Sequence, residues 1–172
     1  MKNFRIFILV LGLFAVSASV KAQKFALVDM EYIMGNIPAY ERATEQLNQI
    51  SKKWQSEVEA LDNEAKTLYK NYQNESVFLS QQQKQAKEKA IVEKEKQASE
   101  LKKKYFGPQG ELYKKRTSLI EPIQEEVYNA VKAISQSRGF QLILDRADNA
   151  GIIFASPSID ISNEVLQKLG YQ

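Results

Sequence analysis

The residues best placed by type and spacing to do acid–base chemistry are two carboxylate groupings, the adjacent pair Glu125-Glu126 and Asp145 with Asp148. Neither has the company that catalysis usually needs. The chain contains no histidine and no cysteine, which removes the commonest general base, the commonest metal ligand and the thiol nucleophile together. Both groupings fall where an exposed helix face or a turn already calls for polar side chains. Gly107-Pro108-Gln109-Gly110 is glycine-rich, but it lacks the lysine and following Ser/Thr of a phosphate-binding loop and does not follow a strand. These positions predict no catalytic residue, no bound metal and no cofactor. The chemistry to expect is binding.

Two stretches are candidates for that. Val77, Phe78 and Leu79 form an apolar trio in polar surroundings; such a trio is exposed unless something covers it, and exposed apolar patches mark contact sites. A tip packed on itself is the competing reading. The segment Lys84 to Lys104 is rich in lysine and would attract acidic chains or anionic head groups, but its glutamates and an acidic neighbour offset that charge, so a solubilising arm is the expectation. Within it only Ala86, Ala90, Ile91, Ala98 and Leu101 make a weak apolar stripe, and Ile91 joins the tip trio as a candidate contact.

The elements that must position these residues follow from spacing. Between Pro38 and Gly107 there is neither glycine nor proline. Tyr40, Ala43, Leu47, Ile50, Trp54, Val58, Leu61, Ala65, Leu68 and Tyr72 recur every three or four residues, which predicts one long helix with a single apolar seam. Asn74 to Ser80 breaks the seam, and Ser80-x-x-Gln83 fits a capping box that starts a second helix. The Gly107–Gly110 stretch must interrupt the return leg. Helical spacing resumes at Leu112, Leu119, Ile123, Val127, Ala130 and Ile134, with a kink or restart at Pro122 and a stop at Gly139. Strand signals occur only at the ends: Phe25 to Val28, Leu142 to Leu144, and Ile152 to Phe154, the last two joined by a turn at Asp148 to Gly151. A final short helix is expected from Ser162 as N-cap to Gly170, stapled by Ile161 against Leu166.

The predicted fold is therefore mainly α with a small β body. A long α-helical, coiled-coil hairpin (38–138, tip near 74–80) stands on a three-stranded body made from both ends of the chain (23–37 and 139–172). So small a body, with no cysteine or histidine to staple it, calls for oligomerisation. Ahead of it, Lys2 and Arg5 precede the apolar run Ile6 to Val16, and Val20-Lys21-Ala22 offers a cleavage site. Residues 1–22 thus read as an export signal cut after Ala22; the run is shorter than the roughly 20 residues that span a bilayer.

Without that signal the chain carries 21 basic and 21 acidic residues. This balance gives no electrostatic argument for a nucleic-acid partner or for direct membrane binding. The charge is nonetheless sorted: residues 40–79 hold five basic and seven acidic groups, and residues 81–104 hold eight lysines and four glutamates. Two legs of opposite sign can lie side by side.

The order of several short motifs resembles the Skp/OmpH family of periplasmic chaperones. These are Val28-Asp29-Met30-Glu31-Tyr32-Ile33 with Pro38-Ala39-Tyr40, Tyr105-Phe106-Gly107-Pro108-Gln109-Gly110-Glu111-Leu112, Ile120-Glu121-Pro122-Ile123, and the close from Leu144-Asp145 through Asp160-Ile161-Ser162 to Val165-Leu166. The resemblance spans the whole chain after the signal. It implies a homotrimer whose strands share one body, with Phe25, Leu27, Leu142, Leu144, Ile153 and Phe154 in that body and three arms around a cavity. It also implies an ATP-independent holdase for unfolded outer-membrane β-barrel proteins in the periplasm. The neutral charge departs from the strongly basic members of that family. The reading from a different class is a structural coiled-coil tether or adaptor of the cell envelope.

Overall fold

The computed structural model describes residues 24–148 and 151–171. The expected export signal and its cleavage point lie outside these residues, as do Asn149 and Ala150 at the centre of the expected turn.

A short strand, β1 (Phe25–Val28), leads into a helix, α1 (Met30–Gly35). Asp29 caps that helix: its carboxylate accepts from the Tyr32 amide at 2.8 Å, which satisfies one of the free donors of the first turn. Pro38 then opens α2 (Pro38–Glu75), where its fixed φ suits a first helical position. With no glycine or proline inside it, α2 runs 38 residues, about 57 Å at 1.5 Å per residue.

The chain reverses through a 3₁₀ turn at Ser76–Phe78 and returns in α3 (Gln81–Phe106). The capping box forms: the Gln83 amide donates to Ser80 Oγ, and the Ser80 amide donates to Gln83 Oε1. After the Gly107–Gly110 break the return leg continues as α4 (Glu111–Arg138). Gly139, at φ 72°, ends it in the left-handed conformation that glycine takes without steric cost. Pro122 neither restarts nor ends α4, which runs through it as one helix. The cost is the one amide bond that Ser118's carbonyl would have received.

Strand β2 (Leu142–Asp145) pairs in parallel with β1, in the register Phe25↔Leu142 to Val28↔Asp145. Parallel neighbours need a long crossover between them, and here the whole hairpin is that crossover. Both feet of the arm are thereby fixed at one place.

The body has two strands among the described residues, not three. Ile152–Phe154 is irregular, with Ile153 and Phe154 in solvent and Ile152 partly covered. The reason is that β1's second edge is already used: Leu27 bridges Asp160, and the Ile161 amide donates to the Leu27 carbonyl at 2.9 Å. A strand at 152–154 could therefore pair only along the outer edge of β2, and among the described residues it does not.

The last helix, α5 (Ser162–Lys168), also differs in detail. Ser162 lies inside it and is buried; its hydroxyl accepts from the Asp29 amide, while Asp160 Oδ1 accepts from the Ser162 amide. The N-cap is Ile161, which makes no side-chain cap bond, and Asp160 just before it satisfies the Ser162 amide instead, while the Ser162 side chain is drawn across to β1's end. Gly170, at φ 86°, closes the helix.

The core gathers Ala26, Val28, Ile33, Met34 and Ile37 with Val165 and Leu166, and it extends into the feet of the arm at Ala43, Ile120, Ile123, Val127, Ala130 and Ile134. Higher up the arm, burial thins to Val58, Ala65, Ile91 and Ala98.

Candidate functional site

The described residues contain no cluster of potential metal ligands and no helix long and apolar enough to cross a membrane. Glu125 and Glu126 lie exposed on α4. Asp145 is tied to main chain, accepting from the Met30 and Ala147 amides on one oxygen, and Asp148 is exposed. Asp145 belongs to a clamp that joins the ends of both strands to α5: Arg146 pairs with Asp29 at 3.1 Å and with Asp160 at 3.0 Å. Its work is to hold α1, β2 and α5 together.

The binding candidates fall on two surfaces at opposite ends of the molecule. At the tip, Val77 is 79% exposed and Phe78 86% exposed, while Leu79 turns partly inward. The 3₁₀ turn that reverses the chain has too few residues to fold both large side chains beneath itself. Ile91 does not join them: it lies in the seam between α2 and α3 at 6% exposure, and is unavailable to a partner while the hairpin is closed. The weak stripe of α3 has only Ile91 and Leu101 as large aliphatic side chains, and the seam buries Ile91.

In the body, alternation along each strand sorts the side chains. Ala26, Val28 and Ile143 face the core. Phe25, Leu27, Leu142 and Leu144 share the other face, because the register sets Phe25 beside Leu142 and Leu27 beside Leu144. Phe25 and Leu142 are about half exposed, and Leu144 is partly covered. Leu27 is buried by its own chain, under the stretch that bridges it through Asp160. Ile153 is fully exposed and Phe154 84% exposed. The open side of the two-stranded sheet is therefore an apolar surface, and a large exposed apolar patch marks a contact.

Between these ends the two legs are joined by their opposite charges. Glu64 pairs with Lys94 at 2.8 Å, Glu75 pairs with Lys87, and Tyr72 donates to Glu88. Exposed contacts of this kind contribute little each, because water screens them. The bond to Glu88, with some loss of hydration, raises the Tyr72 pKa above its ordinary value. A second pair of the same type sits nearer the body, where Tyr105 donates to Glu57 at 2.6 Å and its pKa is raised mainly by that bond. Here the Tyr105 ring also stacks on Trp54, with centroids 4.6 Å apart and planes 5° from parallel.

Residue spacing alone pointed to none of this aromatic junction, nor to the Arg146 clamp. A signal for the junction was present: with the tip expected near 74–80, an antiparallel hairpin sets Trp54 against residues near 100–106, which include Tyr105.

Comparison with known proteins places this geometry in context. A family model described as outer membrane protein (OmpH-like) matches residues 24–169. The chaperone protein Skp of Yersinia enterocolitica is 26% identical over 157 residues, covering 90% of this chain and 91% of that protein. A crystal structure assigned as an outer membrane chaperone (OmpH-like) from Caulobacter crescentus superposes with a TM-score of 0.64 at 13% identity, covering 88% of this chain and 86% of that one. That likeness is one of fold.

Proposed function

This chain belongs to the OmpH-like family of outer membrane proteins, and on that premise we propose that it is an ATP-independent periplasmic holdase, exported by residues 1–22 and cleaved after Ala22. Its clients are unfolded outer-membrane β-barrel proteins, held between the arms of a homotrimer. Residues 23–37 and 139–172 are the assembly body, and residues 38–138 are the arm.

The observation that carries this reading is the pairing of an uncovered apolar tip, Val77 and Phe78, with an arm whose seam is only lightly packed. A client without fixed shape is best held by many weak contacts on surfaces that can adjust, and it is released without an energy source when those contacts exchange. The apolar sheet face around Phe25, Leu142 and Leu144, together with the exposed side chains of Ile153 and Phe154, supports self-association, since burial by other copies removes that area from water. Direct attachment to membrane is not part of the proposal, because the chain after the signal carries equal numbers of acids and bases. A tether docking rigidly on one folded partner would be better served by an arm packed firmly to its end.

Light scattering on residues 23–172, alone and after dilution of a urea-unfolded barrel protein into it, tests the reading. The expected result is a trimer that keeps the client in a soluble, defined complex. A monomer or dimer that leaves client aggregation unchanged overturns it in favour of the envelope tether.

A further inference from the structure

At the root of the arm the two helices do not close fully on each other. They leave a groove of about 600 Å³, within the range of roughly 300–1,000 Å³ in which proteins hold small ligands. Its body end is formed by α1 and the end of β2, through Met30, Glu31 and Asp145. Its walls are Tyr40 and Leu47 on α2, and Leu112, Arg116 and Ile120 on α4. Met30, Tyr40, Leu47 and Leu112 are each only half-buried, so apolar area lines the groove without being closed over.

The groove also has two electrical ends. Toward the body, Glu31 sits in the first turn of α1, and Asp145 takes the Met30 and Ala147 amides on one oxygen. The other Asp145 oxygen accepts no hydrogen bond among the described residues, and Asp148 also lines the groove. Arg116 stands on the α4 wall about 12 Å farther out than Gln124, at 1.5 Å per residue. Among the described residues neither Glu31 nor Arg116 enters an ion pair. Along α2 the lining runs from Tyr40 to Ser51, about 17 Å by the same rise. Extended chain at about 3.3 Å per residue covers that length in about five residues.

We propose that this groove is a separate contact site for an unfolded chain, and that it takes a short extended segment with a basic side chain at one end, apolar side chains in the middle and an acidic side chain at the other. The basic group lies toward Glu31 and Asp145, the acidic group toward Arg116, and the apolar residues cover Met30, Tyr40, Leu47 and Leu112. Charge complementarity selects this occupant. A wholly apolar segment displaces the water that serves these charges and gives them no partner in return, which costs free energy. A segment of one sign meets a like charge at one end. The inference rests on the holdase reading and deepens it: besides the apolar tip at Val77 and Phe78, the chain has a place at the root of the arm that reads the order of charges in what it holds.

Fluorescence anisotropy on residues 23–172 tests this with a fluorescein-labelled peptide in which lysine, valine, leucine, valine and glutamate follow one another between serines. The expected result is saturable binding, roughly fivefold weaker when the peptide's lysine is replaced by glutamate, the scale of one partly exposed charge pair. That preference is lost in Glu31→Lys. Thr44 is an exposed residue of the α2 wall, and Thr44→Trp fills the groove and removes saturable binding, whereas Gln46→Trp, exposed on the same helix outside the groove, keeps it. Should Thr44→Trp lose helix by circular dichroism, Asn48→Trp on the same wall decides the matter. No saturable binding to the parent, equal affinity for the two peptides, or equal weakening by Gln46→Trp overturns the site. So does a parent that binds no peptide while Thr44→Trp changes the mass of the oligomer, which assigns the groove to a second copy. The tip variant carrying Val77→Ser and Phe78→Ser separates this site from the holdase reading: it binds the peptide like the parent whether or not it still protects a client, and loss of peptide binding there overturns the groove.

Discussion

Val77 and Phe78 are exposed because the tip is a single 3₁₀ turn, and a side chain left in water at a turn is held in reserve for a partner or is a liability. Replacing both by serine should weaken client retention by at least about tenfold, since burying even one such side chain contributes roughly 1.5–3 kcal/mol and about 1.4 kcal/mol is tenfold in affinity. Titration of the concentration that suppresses client aggregation checks this, with helix content as the control. The Tyr105 phenol gives a second expectation. Its pKa in the folded chain is raised by the bond to Glu57, so the contact contributes stability that is fully present below the unfolded value of about 10. That contribution is lost as pH rises through the higher folded value. Trp54 is the chain's one tryptophan and stacks on this ring, so its emission should change on going to strongly alkaline pH. In Tyr105→Phe that change should be largely absent.

Among the elements, the corner between α3 and α4 and the end of α1 make a clean contrast. Gly110→Ala forces a Cβ against the Tyr105 and Lys104 carbonyl oxygens and should lower the melting temperature of the arm. Gly35→Ala meets nothing within 4 Å and should be close to neutral in the same thermal scan. The Ser80–Gln83 capping box should be worth about 1 kcal/mol to the start of α3, the usual cost of replacing a capping serine by alanine. Denaturant unfolding of Ser80→Ala checks it. These local devices were legible in the residues, because caps, breakers and stops act over three or four positions. The role of Ser162 was not, because its hydroxyl is taken by an amide 133 residues away.

For the whole molecule, the arm and the body divide the energetics. The body concentrates buried aliphatic side chains, among them Ile33, Val127 and Val165 with almost no exposure. Ile33→Ala should therefore cost about 2–5 kcal/mol, as buried large-to-small changes do, and chemical denaturation measures it. The arm has few such residues and rests on small side chains and exposed charge pairs, which suits a part that must adapt. Assembly belongs to this scale too. Leu142→Asp places a charge on the open apolar face of the sheet and should shift the proposed trimer toward monomer in analytical ultracentrifugation while the chain stays folded, because Leu142 is not in the core.

Periodicity and punctuation settled the long hairpin, the position of its tip, the break at Gly107 and the pairing of an acidic leg with a basic one. These rest on a repeat of three to four residues sustained over dozens of positions, with glycine and proline marking its ends, so local sequence is enough. Tertiary structure decided what required distant residues to meet. It left Ile152–Phe154 without a strand, with the edge of β1 already taken by Asp160. It moved Ile91 from the surface into the seam because α2 offered it cover. It also brought Trp54, Glu57 and Tyr105 together, and joined Asp29 and Asp160 through Arg146. Each of those outcomes depends on which group reaches a shared edge, cavity or charge first in space, and spacing along one chain does not carry that information.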